Sequence, residues 1–326
     1  MPIRTFHRPL GLVLACAVAI LITVPAVAGA KPKTVGADLR VVGPSGQALA
    51  QLQQYTGTVK IKTDPDALCF GPGTGGSGNP VKVSGPTGLG IVEDASATAR
   101  ELRPLSVTDA FAFGLGVCGI GGFQAQGAAS WYLKHNHAGA QVGGDQLLLE
   151  KGDEVLWYLA PDFPYPPELA LEAPGSAQPG GQVTVEVVQY ADDGTVTPAA
   201  GAMVSGGSAP ATTDAQGRAS VPVGSDDATL RAMRGANIPS NEATVCVGDP
   251  GQCSDEQGEL IAGTDKPDVI KGTKGPDRIK ARAKNDLVKA RGGAPDRINC
   301  GSGRRDVAVV DPEDTVRACE KVKLGP

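Results

Sequence analysis

The chain has 326 residues, of which 30 are Lys or Arg and 35 are Asp or Glu, and its formal net charge is −5. This length allows two or three globular domains. Residues 258–326 carry 15 basic and 11 acidic side chains whereas the rest of the chain is acidic, so the two ends should present different surfaces. Nucleic acid is not expected as a partner, and after residue 30 no apolar run is long enough to span a membrane.

The N-terminus has the layout of a secretory signal peptide. A short basic segment is followed by an uncharged, largely apolar run from Pro9 to Ala30, and small residues at its end suggest cleavage after Ala28 or Ala30. We therefore predict a signal peptide at residues 1–30 and an extracellular protein, either freely secreted or associated with the cell wall. An uncleaved anchor helix is the alternative, because the run is long enough to cross a bilayer.

Seven cysteines occur in the chain, and Cys16 lies within the predicted signal peptide. The other six form an even set, which in an exported protein indicates disulfide bonds. Proximity in sequence and the domain boundaries given below select three pairs from the possible connectivities: Cys69–Cys118, Cys246–Cys253 and Cys300–Cys319.

Residues 31–162 are predicted to form the first domain. Aromatic residues are concentrated from Tyr55 to Tyr165, which favours a large aromatic core in which Trp131 and Trp157 pack together. Several short segments alternate or are β-branched and are bounded by Gly, Pro or Asp, as is typical of strands. A Pro-rich linker at residues 163–167 closes the domain.

Two segments of this domain carry a resemblance. Trp131 and Tyr132 are followed by Asn136, and residues 152–158 have the sequence Gly-Asp-Glu-Val-Leu-Trp-Tyr. The pattern resembles the transcobalamin-like C-terminal domain, a bacterial domain of unknown function, and the resemblance implies a small β-grasp-like fold. His137 stands where that family has glycine. A cobalamin ligand is not transferred, because a fold does not fix a function.

His135 and His137 form a His-x-His pair that could face one side of a strand and hold a metal ion. A complete site needs further ligands, and no Cys or third His is nearby in sequence. We therefore favour two solvated loop histidines over a metal site.

Residues 168–247 are predicted to form a β-sandwich, since short strands at regular spacing alternate with turn residues. The turn Thr213-Asp214-Ala215-Gln216-Gly217 and the closing strand resemble the Ig-like modules of bacterial surface proteins, which implies a spacer. A linker at residues 248–257 follows.

Residues 258–326 contain the clearest internal repeat. Aspartates recur at intervals of 9 or 10 residues, each with an apolar residue two positions later: Asp268, Asp277, Asp286, Asp296 and Asp306. The segment resembles the degenerate nonapeptide repeats of haemolysin-type calcium-binding proteins, which implies a short parallel β-roll with these aspartates as Ca²⁺ ligands. Ca²⁺ is the one candidate cofactor, and a roll without calcium is favoured slightly over it.

Two alternatives stay open for this tail. Lys and Arg occupy many turn and flank positions, so the roll could be free of calcium, closed by Cys300–Cys319, with its aspartates paired to basic side chains. The basic tail could also bind an acidic cell-wall polymer.

The motifs G-x-S-x-G, H-E-x-x-H and the P-loop do not occur in the sequence. We therefore predict a mainly β, non-catalytic binding protein of the cell exterior with an unidentified ligand, in which the first domain binds, the second is a spacer and the tail attaches or stabilises. The alternatives are a secreted protein whose tail folds with Ca²⁺ and a hydrolase of unrecognised type.

Overall fold

The structure, a computed structural model, describes residues 34–248, 259–292 and 295–324. The predicted signal peptide at residues 1–30 lies outside the described residues, as does the predicted linker apart from Gly248. The protein is mainly β, with 46% strand and 3% helix, which confirms the predicted fold class. Within the described ranges, no helix is long and apolar enough to cross a membrane.

The first domain is built on a mixed sheet. Its central strands β1 and β10 run parallel, and each has an antiparallel outer neighbour, giving the order β2-β1-β10-β8 of a β-grasp. The helix α1 packs on this sheet through Ile91 and Val92, and Trp131 and Trp157 lie in the same core, as predicted. The elements are β1 (Thr34–Val42), β2 (Ala48–Gly57), β3 (Val59–Lys62), β4 (Pro80–Val83), α1 (Gly90–Ala95), a 3₁₀ turn (Arg100–Leu102), β5 (Leu105–Phe111), β6 (Gly114–Ile120), β7 (Phe123–Gln124), β8 (Ser130–His135), β9 (Ala138–Gly139) and β10 (Glu154–Ala160).

The second domain is a sandwich of two sheets. One contains β11, β13, β14 and β17, the other has the order β12-β19-β18-β15-β16, and their inner faces share an aliphatic core that includes Val185, Val204 and Leu230. The strands are β11 (Glu168–Glu172), β12 (Ser176–Ala177), β13 (Gln182–Tyr190), β14 (Val196–Pro198), β15 (Met203–Ser205), β16 (Ala211–Thr212), β17 (Arg218–Pro222), β18 (Ala228–Met233) and β19 (Ala243–Val247).

The tail is a parallel β-roll in which successive strands alternate between two sheets. The apolar residue two positions after each repeat aspartate points inward and is buried: Ile270, Ile279, Val288, Ile298 and Ala308. The strands are β20 (Glu259–Ala262), β21 (Val269–Lys271), β22 (Asp277–Lys280), β23 (Leu287–Ala290), β24 (Arg297–Asn299), β25 (Val307–Val310), β26 (Thr315–Arg317) and β27 (Lys321–Leu324).

The roll continues the sheet of the first domain. Strand β20 pairs in parallel with β2, so that Gln53 aligns with Ile261, and the combined sheet has nine strands in the order β26-β24-β22-β20-β2-β1-β10-β8-β9. Tyr55 of β2 is buried in the roll core, and its hydroxyl accepts a hydrogen bond from the Lys271 N–H at 3.0 Å. The edge of the first domain therefore serves as the first rung of the roll.

Disulfides brace the first domain and the end of the roll. Cys69–Cys118 and Cys300–Cys319 form, matching two of the three predicted pairs. The third predicted pair, Cys246–Cys253, involves Cys253, which lies outside the described residues.

Candidate functional site

The five repeat aspartates of the roll are buried, none more than 3% exposed, and they form two columns. Each begins or precedes a strand, so alternate aspartates belong to alternate sheets. One column holds Asp268, Asp286 and Asp306, and the other holds Asp277 and Asp296 and is extended by Asp314. The sequence repeat did not single out Asp314, because it follows Asp306 by fewer residues than the other intervals.

Beyond the first aspartate of each column, each carboxylate accepts a hydrogen bond from the backbone of the preceding aspartate and so links successive turns of the roll. The N–H of Asp268 donates to Asp286 Oδ1 at 2.9 Å, and the N–H of Asp286 donates to Asp306 Oδ1 at 2.7 Å. In the second column the N–H of Asp277 donates to Asp296 Oδ1 at 2.9 Å, and Asp296 donates to Asp314 in the same way. The aspartates thus satisfy turn N–H groups that the strand ladders leave free.

The free oxygens of these carboxylates differ along the first column. Both oxygens of Asp268 are used, because Thr34 Oγ1 donates to Oδ1 at 2.8 Å and Thr264 donates to Oδ2. By contrast, Oδ2 of Asp286 and Oδ2 of Asp306 are buried without a hydrogen-bond partner in the described structure. The hydrogen bonds that these carboxylates accept come from threonine side chains and backbone N–H groups. The calcium-free alternative had predicted Lys and Arg as their partners.

Asp306 packs closely against the turn that holds Gly303. A Cβ placed on Gly303 would lie 2.2 Å from both carboxylate oxygens of Asp306 and 2.2 Å from the Lys284 carbonyl oxygen, so a larger residue does not fit at this position. Carboxylate and carbonyl oxygens are the ligands that Ca²⁺ takes. Among the described residues no three acidic, His or Cys side chains form a metal-binding group, so the remaining ligands would be carbonyls or water. The unpartnered Oδ2 atoms of Asp286 and Asp306 are the oxygens left for such an ion, whereas both oxygens of Asp268 and of Asp277 already accept hydrogen bonds.

Burial and mutual repulsion change the acidity of the columns. Burial, together with the neighbouring Asp268 and Asp306, raises the pKa of Asp286 to about 7. Burial, together with Asp277 and Asp314, raises the pKa of Asp296 to about 7. Binding a proton or a cation therefore stabilises these two carboxyl groups near neutral pH.

A second cluster lies where the first domain meets the sandwich, and His137 is at its centre. The ring Nε2–H donates to Glu154 Oε2 at 3.0 Å, Nδ1–H donates to Glu168 Oε1 at 3.2 Å, and the ring stacks on Tyr190 with centroids 3.8 Å apart. Burial alone would lower its pKa, but the bonds to Glu154 and Glu168 raise the pKa of His137 to about 9. The side chain is an imidazolium at neutral pH rather than the solvated loop histidine that we predicted.

Glu168, buried at the start of β11, joins the two domains. Arg40 of β1 forms an ion pair with its Oε1, and Lys134 of β8 lies 3.3 Å from its Oε2. Burial alone would raise the pKa of Glu168. The His137 hydrogen bond and the charges of Arg40 and Lys134 outweigh burial and lower this pKa to about 2. Arg40 also donates to the carbonyl of Pro239 at 3.0 Å. Three cations of the first domain therefore hold one carboxylate of the second.

His135, the other member of the predicted His-x-His pair, turns to a different partner. Its Nε2 lies 2.8 Å from Asp153 Oδ2. The pair is therefore divided between two carboxylate environments, and each ring already has an acidic neighbour.

A cleft of about 1240 Å³ opens beside this cluster, between the outer face of the nine-stranded sheet and the sandwich, with Arg278 of the roll at its end. Its lining is acidic, with seven carboxylates against two guanidinium groups and His137. The carboxylates are Asp38, Glu154, Glu168, Glu172, Glu186, Asp227 and Glu242. Of these, Glu154, Glu172, Glu186 and Asp227 are exposed to solvent.

Sequence reasoning missed this cleft and cluster. A usable signal was present, because Arg40 and Lys134 each lie within otherwise apolar strand segments, where a charge requires a buried partner. The identity of that partner, Glu168, depends on how two domains meet and cannot be read from spacing.

Comparison of the chain with protein-family models, with curated proteins and with solved structures gives no match. The three family resemblances drawn from the sequence accordingly remain predictions.

Proposed function

We propose that the protein is a non-catalytic binding protein of the cell exterior and that its ligand, an extended polycation such as a basic peptide segment, binds in the cleft between the two domains. The observation that carries this proposal is the acidic lining of a cleft of about 1240 Å³. This volume exceeds the roughly 300–1,000 Å³ of sites for drug-sized molecules, which favours an oligomeric ligand.

The charge of the lining supports the same conclusion. Glu168 is neutralised within the buried cluster, but Glu172 and Asp227 on the sandwich side are exposed and Glu242 is half-buried. Negative charges that line a cleft focus its electrostatic field and raise the local concentration of a cationic ligand. The rigid cluster of Arg40, His137 and Glu168 fixes the two walls at a constant separation, so that little ordering free energy is spent on binding.

Calorimetric titration with tetralysine tests this proposal. We expect binding that weakens as salt rises and falls at least fivefold in the variant E172Q/E242Q. A matched control, E101Q/E313Q, removes two exposed carboxylates outside the cleft and should bind as the parent does. Equal loss in both variants, or no binding of tetralysine at low salt, would reject the cleft as a polycation site.

A calcium-binding tail is the second candidate, favoured by the buried and unpartnered Oδ2 atoms of Asp286 and Asp306. When bound, Ca²⁺ would neutralise these carboxylates and link adjacent coils. The chain's own residues hold the coils in register through the N–H bonds to Asp286 Oδ1 and Asp306 Oδ1.

Calcium titration of the full chain, followed by thermal unfolding, separates this candidate from a metal-free roll. We expect CaCl₂ to raise the unfolding temperature of the parent and of D277N, because both oxygens of Asp277 already accept bonds from Thr273. D286N/D306N should lose the response. A response unchanged in D286N/D306N, or none in the parent, would refute the assignment.

A further inference from the structure

The outer face of the second roll sheet, formed by β21, β23, β25 and β27, carries an unusual arrangement of lysines. In the strand register, Lys271 aligns with Lys289, which aligns with Val309 and then with Lys323. The neighbouring row runs through Val269, Leu287 and Val307 to Lys321. We call the eight residues of these two rows the lysine face.

The lysine face is turned to solvent. Alternate residues of the same strands, Ile270, Val288 and Ala308, point into the roll and are fully buried. All four lysines are exposed, as is Val269 with 59% of its surface. The eight positions include no acidic residue, and within the described structure none of the four ammonium groups forms an ion pair or hydrogen bond.

This arrangement has an electrostatic cost. Adjacent strands lie about 4.8 Å apart, so Lys271 and Lys289 bring like charges directly opposite one another. The remaining pair, Lys321 and Lys323, lies on one side of β27 because residues two apart share a face. Repulsion among these charges is offset when an anion of matching extent lies over them.

We propose that the lysine face binds a linear polyanion, a polymer with regularly spaced phosphate groups, and that this contact holds the protein to such a polymer outside the cell. Three strand spacings give the face a length of about 14 Å, enough for two or three anionic groups in a row. The aliphatic row of Val269, Leu287 and Val307 lies beside the charges and offers apolar surface that a bound polymer would cover. This site is separate from the acidic cleft, whose lining repels a polyanion.

Binding of inorganic polyphosphate by the full chain tests this inference. We expect the logarithm of the association constant to fall linearly with the logarithm of salt concentration, with a slope of about −3 when four lysines are engaged. The variant K271Q/K289Q/K321Q/K323Q should bind at least tenfold more weakly, whereas the same four positions changed to arginine should retain binding.

The matched control changes four exposed basic residues that are not aligned with one another in any sheet, K62Q/R100Q/K151Q/R304Q, and so removes the same net charge. This control should bind polyphosphate as the parent does, and thermal unfolding of each variant checks that the roll remains folded. Equal weakening in both variants would show a net-charge effect and overturn the inference. Binding to phosphatidylglycerol vesicles without binding to polyphosphate would overturn it as well, since the face would then recognise a membrane.

Discussion

At the scale of single residues, the turn between β8 and β9 shows how a side chain can hold an unfavoured backbone. Asn136 and His137 have φ angles of 48° and 68°, in the left-handed region that glycine favours. Asn136 supports the turn by accepting a bond from the Glu154 N–H at 2.8 Å. The His137 ring is held in place by Glu154, Glu168 and Tyr190. The ion cluster therefore compensates the backbone cost.

The charge of His137 predicts a pH dependence of stability. Its folded-state pKa of about 9 lies above its ordinary value of 6.5, so its contribution is fully present below about pH 6.5 and is lost as pH rises through 9. Glu168, with a pKa of about 2, stays ionised over this range, and burial lowers the pKa of Arg40 and of Lys134 from their ordinary values. We expect H137Q to be less stable than the parent by about 1–2 kcal/mol at pH 6, the full shift being reduced by solvent screening. Urea unfolding at pH 6 and pH 9.5 measures this, and a deficit that is equal at both pH values would refute the charged state of His137.

Substitution of Asp286 should have the opposite effect on stability from substitution of His137. Its folded-state pKa of about 7 lies above 3.8, so the stability associated with its protonated form is present below about pH 4 and is lost as pH rises through 7. In chelator, D286N should therefore be more stable than the parent by about 1 kcal/mol at pH 8 and nearly equal to it at pH 4. The exposed-site variant D226N serves as the control, and a D286N protein that is less stable at pH 8 would contradict the raised pKa.

At the scale of elements, the roll was the most predictable part of the molecule. The intervals of 9 and 10 residues between aspartates, with Ile270, Ile279 and Val288 two positions later, specify one inward-facing residue per strand. The sequence could not reveal that β20 pairs with β2, because parallel pairing between strands about 200 residues apart leaves no local sequence pattern. Likewise, the repeat located the aspartates but did not distinguish Asp268, satisfied by Thr34, from Asp286.

The junction between β2 and the roll gives a prediction at this scale. Y55F removes the hydroxyl that accepts the Lys271 N–H and should cost about 1 kcal/mol, whereas Y55A also leaves a cavity in the roll core and should cost about 3–5 kcal/mol. Limited proteolysis should then cut Y55A first within residues 259–324. Cleavage of Y55A first in the sandwich would show that Tyr55 does not anchor the roll.

For the whole molecule, the contacts between domains create a feature that no single domain contains. The sandwich was predicted from local strand and turn patterns and was expected to be a spacer, whereas the β-grasp-like fold was implied only by a family resemblance of the first domain. The cleft arises because Arg40, Lys134 and His137 of one domain converge on Glu168 of the next. Its exposed acidic lining is drawn from both domains, which is why the sequence, considered one domain at a time, gave no sign of it.

The two charged surfaces have opposite charge and lie in different parts of the molecule. The acidic cleft lies between the first two domains, and the lysine face lies on the roll. The uneven charge along the chain predicted this division in outline. The structure adds the positions: carboxylates gathered around a cavity, and lysines aligned on the strands of one sheet.

Carbodiimide coupling of C-terminally amidated tetralysine to the full chain, followed by mass spectrometry, is the decisive measurement for the acidic cleft, because an activated carboxyl is captured most efficiently where a bound amine already rests against it. We expect the coupled residues to be Glu172, Asp227 and Glu242, with little coupling at exposed acids elsewhere such as Asp193 and Glu313. Coupling spread evenly over all exposed carboxylates, or concentrated outside the cleft, would contradict it.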